Sequence, residues 1–85
     1  MNEIKNLKKK IIFRAEYRGT KEMNLVLGKF VKKYINTLST NDLNDLYKLL
    51  DISDEILTKG ILNKDKTIKL PNNNVVNLLN AFSID

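Results

Sequence analysis

Met23, Leu27, Phe30, Val31, Tyr34, Ile35 and Leu38 recur at three- and four-residue intervals. This is the spacing of one continuous helical face. Lys29, Lys32 and Lys33 lie largely on the opposite side. Such a segment can hide its stripe only against other elements, and it reads as a helix over roughly 20–37. Few residues interrupt helices elsewhere: one proline and three glycines in 85 residues. No stretch keeps the strict two-residue alternation of a half-buried strand. The fold class expected is all-α.

Four more helices follow from the same periodicity and from capping residues. Ile4, Leu7, Ile11 and Ala15 mark a first helix over 4–17, with Ile12 widening the stripe and Lys8, Lys9 and Lys10 mostly off it. Ser39 is placed to cap a third helix, with Asp42 in its first turn and Leu43, Leu46, Tyr47 and Leu50 facing inward. After the turn Asp51-Ile52-Ser53-Asp54, Ser53 is placed to cap a brief fourth helix over 54–62. Its inward residues are Ile56, Leu57 and Ile61, and Gly60 weakens its end. Residues 63–71 are polar and irregular up to Pro71. A fifth helix over 72–82 turns Val75, Leu78, Leu79 and Phe82 inward. The expected architecture is a small five-helix bundle, one domain over 1–85, with short connections.

Composition narrows the chemistry. The chain has no cysteine and no histidine. Disulfides, thiolate metal sites, the usual zinc ligands and Ser-His or Cys-His nucleophile pairs are therefore absent. The acids are scattered and lack the pairing or metal-ligand spacing that hydrolytic chemistry uses. No catalytic, cofactor-binding or metal-binding residue is assigned, and an enzyme is the least favoured class. No apolar run approaches the roughly 20 residues that span a bilayer, so no stable membrane insertion is expected. Met1-Asn2-Glu3-Ile4-Lys5 lacks an apolar signal-peptide core, and the expectation is a bacterial cytoplasmic protein.

The net charge of +5 is unevenly placed. Residues 1–33 carry ten Lys or Arg against three Glu, and residues 34–85 carry five Lys against seven acids. A basic front half suits an acidic partner, protein or nucleic acid. It equally describes a lysine-rich solvated face.

Arg18-Gly19-Thr20-Lys21-Glu22 falls at the break between the first two helices. Local structure accounts for each residue type. Gly19 suits the left-handed position that ends a helix, Arg18 the negative end, Thr20 a cap and Glu22 the positive end of the next helix. The same residues also make a compact polar contact corner.

Arg18-Gly19-x-x-Glu22 resembles the signature of the SdhE family, the small flavinylation factors of succinate dehydrogenase. The likeness extends through Phe13-Arg14-x-x-x-Arg18-Gly19-Thr20-Lys21-Glu22-Met23 and Leu27-Gly28-x-Phe30. It continues in Leu38-Ser39, Leu43, Leu46 and Tyr47-Lys48-Leu49-Leu50-Asp51, then Asp54. Residues 11–62 carry most of it. The fourth-helix region departs, with Glu55 near a position that is often proline and Gly60 near one that is often tryptophan.

The resemblance implies a five-helix assembly factor that promotes covalent attachment of FAD. Its partner would be the flavoprotein subunit of succinate dehydrogenase, or of fumarate reductase. A histidine of that subunit attacks the 8α-methyl carbon of the flavin, and donors of the flavoprotein stabilise the charge that develops on the ring. The factor needs no cofactor of its own and acts by favouring the aligned arrangement in its partner. Arg18, Gly19 and Glu22 would be the contact centre. Arg14, one turn before Arg18, would extend the basic edge, and Tyr17 would add aromatic area or be partly buried in the core. The alternative readings are a small basic nucleic-acid-binding domain, resting on the lysine clusters, and an antitoxin-like regulator.

Overall fold

In the computed structural model, which describes residues 2–17 and 21–82, the helical periods become five α-helices. These are α1 (Asn2–Glu16), α2 (Lys21–Tyr34), α3 (Thr40–Leu49), α4 (Asp54–Leu57) and α5 (Asn74–Ala81). There is no strand among the described residues. α1 lies against α2 and α3, and α3 lies against α5, in a body of 38 × 25 × 24 Å.

One apolar cluster joins all five. Ile11 and Ala15 of α1 meet Met23, Leu27, Phe30 and Val31 of α2, Leu43, Leu46 and Leu49 of α3, Leu57 of α4, and Val75 and Leu79 of α5. Phe30 is fully buried, which is worth roughly 1.5–3 kcal/mol relative to exposure. Its ring meets Phe82 edge-on, centroids 5.5 Å apart, and Tyr34 at 4.9 Å. The end of α5 is thereby clamped onto α2.

The capping residues act as their chemistry requires. Ser39 Oγ accepts from the Asp42 N–H at 3.2 Å, and Ser53 Oγ accepts from the Ile56 N–H at 3.4 Å. Asn73 Oδ1 accepts from the Val76 N–H at 2.9 Å, so α5 begins two residues later than its hydrophobic period suggested. α2 stops at Tyr34, three residues short of the expected 37. The Tyr34 carbonyl is taken by both the Thr37 N–H, at 2.9 Å, and the Thr37 hydroxyl, at 3.1 Å, which tightens the chain into a turn.

Three inward assignments are corrected. Ile4 and Ile12 are each 38% exposed, and Ile56 is 41% exposed. Ile4 stands in the first turn of α1, two turns before the buried Ile11. Ile12 and Ile56 each sit beside a fully buried neighbour, Ile11 and Leu57, and one residue turns a helix by about 100°. Conversely Val26, Leu49 and Val76 are buried without having been picked out by the stripe.

The fourth helix is also not regular to residue 62. It passes into a single π-helical turn, Thr58–Leu62, closed by the Asn63 N–H on the Thr58 carbonyl at 3.0 Å. Gly60 is central to this turn. A Cβ there would lie 2.8 Å from Leu70 Cδ1 and 3.2 Å from Ile68 Cγ2. The glycine is therefore a seat for the following loop rather than a weak helix end. That loop reverses at Lys64, whose φ of 54° is left-handed. Lys64 Nζ then donates to the Asn80 carbonyl at 2.8 Å, placing a cation at the negative end of α5.

Candidate functional site

The corner between α1 and α2 is held from below by the core. Ile11 and Ala15, near the end of α1, and Met23, in the first turn of α2, are all fully buried. The two helix ends that border the connection are thus fixed by packing. Arg18, Gly19 and Thr20 lie outside the described residues, and with them the expected left-handed position and cap.

The other three site residues are described. Glu22 is the second residue of α2 and is exposed, in the first turn where the helix end favours a carboxylate. Tyr17 follows α1, and its N–H donates to the Phe13 carbonyl at 3.1 Å. Its side chain is 71% exposed, so of the two readings for this residue the structure has the surface one. Arg14, in the last turn of α1, is turned toward α3. Its guanidinium pairs with Asp51 and lies 4.9 Å over the Tyr47 ring. Arg14 is thus engaged within the chain while remaining partly exposed.

Sequence reading missed three residues of this surface. Asp51 and Tyr47 lie more than thirty positions from Arg14, and no local pattern joins them. Phe13 is different. It stands two residues from Ile11 and off the Ile4–Leu7–Ile11–Ala15 stripe, so a helical projection places it outward. In the structure it is 62% exposed and its ring centroid is 4.6 Å from that of Tyr17.

Among the described residues every buried side chain is apolar, and no cluster of acids could hold a metal ion. The Asp65 carboxyl, in the loop before α5, is held below its ordinary value by the Thr67 hydroxyl at 2.7 Å. The Thr67 N–H, at 2.9 Å, acts in the same direction, partly offset by desolvation. No helix of the described residues is long and apolar enough to cross a membrane. The corner carries exposed aromatic and charged groups, Phe13, Tyr17 and Glu22, beside two helix ends fixed by the core.

The family described as flavinator of succinate dehydrogenase matches residues 9–83. The chain is similar to the FAD assembly factor SdhE of Acetobacter pasteurianus, 30% identical over 57 residues, covering 67% of this chain and 52% of that protein. It is also similar to the mitochondrial succinate dehydrogenase assembly factor 2 of Dictyostelium discoideum. There it is 34% identical over 64 residues, covering 75% of this chain and 45% of that protein. The chain thus spans about half the length of the curated relatives it matches. No solved structure matches it.

Proposed function

Because the chain belongs to the family of flavinators of succinate dehydrogenase, matched over residues 9–83, we propose that it is a non-enzymatic assembly factor for flavinylation. It binds the flavoprotein subunit of succinate dehydrogenase, or of fumarate reductase, and promotes covalent attachment of FAD there. The observation that carries this reading is the family match along nearly the whole chain. It favours an assembly factor over a nucleic-acid-binding or antitoxin-like domain.

The roles follow from residue chemistry. Arg18 offers a forked, charge-assisted contact to a carboxylate or carbonyl of the partner. Gly19 lets the partner backbone approach closely. Glu22, exposed at the start of α2, accepts hydrogen bonds from the partner or braces the corner. Tyr17 supplies apolar area with a polar tip, a frequent composition at contact centres. Arg14 contributes charge from the last turn of α1, beside the corner.

The mechanism is conformational. With no histidine or cysteine, this chain need not bind FAD itself or form a covalent intermediate. FAD supplies the reactive carbon within its own flavoprotein. This chain's residues bind that protein and favour the state in which its reacting groups are aligned. The action belongs to the bacterial cytoplasm, and such a factor can act without belonging to the final enzyme.

The test is in-gel flavin fluorescence of the denatured flavoprotein subunit. The subunit is expressed with FAD, with and without this chain. Fluorescence that rises with the chain and falls with Glu22→Ala supports the reading. Equal fluorescence in all three with a cognate flavoprotein overturns it.

A further inference from the structure

The outer face of α1 carries an apolar feature that the fold does not use. Ile11 and Ala15 are fully buried, and Phe13 between them projects away from the core, 62% exposed. Tyr17, one turn on, is 71% exposed. The two rings are 4.6 Å apart and tilted by 36°, so they form one continuous apolar surface. A pair at this spacing supports an isolated helix only slightly. The helix is already anchored by Ile11 and Ala15, so folding does not account for a large exposed ring at 13.

The surroundings specify what would cover it. A shallow hollow of about 330 Å³ beside Phe13 is lined by Lys9, Lys10, Arg14 and Tyr47. Lys9 and Lys10 are exposed and form no ion pair among the described residues. Of the carboxylates nearby, Asp51 is engaged by Arg14, and Glu3 lines a neighbouring hollow with Lys10 and Tyr47 without an ion pair to either lysine among the described residues. Paired aromatic rings beside unneutralised cations fit a protein surface with an apolar depression and carboxylates at its rim.

We propose that Phe13, with Lys9 and Lys10, forms a second contact with the client flavoprotein, continuous with the corner through Tyr17 and seated in an acid-rimmed apolar depression on its surface. This deepens the flavinylation reading and rests on it. A nucleic-acid partner fits less well. The rings pack against each other at 4.6 Å, tilted by 36°, rather than standing apart for bases, and Asp51 pairs with the Arg14 that lines the same hollow.

The experiment is titration of the purified flavoprotein subunit with wild-type chain, Phe13→Ser, Phe13→Tyr, Lys9→Glu/Lys10→Glu and Glu22→Ala, at low and high salt. Circular dichroism and melting check that each variant folds like wild type, as an exposed position allows. Phe13→Ser is expected to weaken binding about tenfold or more, and Phe13→Tyr to retain it. The double charge reversal is expected to weaken binding at low salt and to abolish the wild-type salt dependence. Wild-type affinity in folded Phe13→Ser, with binding still lost in Glu22→Ala, overturns the second contact and leaves the assembly-factor reading standing. Absence of binding by the wild-type chain itself overturns both. A single-stranded oligonucleotide bound by wild type and released by Phe13→Ser, with client binding unchanged, overturns the proposal in favour of base stacking.

Discussion

The Arg14 guanidinium, in the last turn of α1, is paired with the Asp51 carboxylate just beyond α3. The pair ties two helix ends together next to the candidate contact corner, and the Tyr47 ring lies beneath the guanidinium. Both side chains remain substantially exposed, at 41% and 62%. Water and salt therefore screen the attraction, and the pair is worth at most about 1 kcal/mol. Asp51→Asn is expected to lower the melting temperature by a few degrees at most. Covalent flavin yield with a cognate flavoprotein should stay within a few-fold of wild type. A complete loss of flavinylation in folded Asp51→Asn would mean that the placement of Arg14 matters more than this geometry indicates.

Variants of the corner itself should separate folding from function. Glu22 is exposed, so Glu22→Ala is expected to change stability by less than about 1 kcal/mol, chiefly through loss of a carboxylate at a helix N-terminus. Covalent flavin in the client should fall at least tenfold. Arg18→Ala should do the same. Gly19→Arg should be more severe, since it adds bulk where the partner approaches. Fluorescence equal to wild type in either alanine variant would remove the corner from the mechanism.

Two glycines in helical segments should respond in opposite directions to one substitution. A Cβ at Gly28, inside α2, would meet nothing within 4 Å. Gly28→Ala is expected to stabilise the fold by roughly 0.5–1 kcal/mol, the usual gain of alanine over glycine in a helix. At Gly60 the same Cβ would press on Leu70 and Ile68, both half-buried. Overpacking costs about 1–3 kcal/mol, so Gly60→Ala is expected to be net destabilising by about 1 kcal/mol. Urea denaturation of both variants checks the contrast in sign.

Asp65 gives a pH dependence with a defined direction. Its folded-state value lies below the ordinary 3.8, because the Thr67 hydroxyl and N–H bond the ionised form. A depressed value means that the stabilisation is fully present above 3.8 and is lost as pH falls through the folded value. Asp65→Asn removes that ionised form. Wild type should therefore be more stable than Asp65→Asn at neutral pH, and the difference should shrink as the pH drops below 3.8. A difference unchanged by acid would assign the effect to packing instead.

Helix order, the Ser39 and Ser53 caps and the inward faces of α2 and α3 were legible in the sequence. These depend on residues within one or two turns of each other, where spacing and a hydroxyl in the right place decide the outcome. Within the candidate site, the exposure of Glu22 agrees with its place in the first turn of α2, and that of Phe13 was available from its offset to Ile11. Tertiary structure decided the rest. Whether Ile12 or Val26 is covered depends on where a neighbouring helix crosses. Gly60 is required because Leu70 returns over it ten residues later, and Arg14 is held because Asp51 arrives from α3. The physical reason is the range of the interaction. Periodicity and capping act along one helix, whereas steric room and ion pairing depend on atoms that only the folded chain brings together.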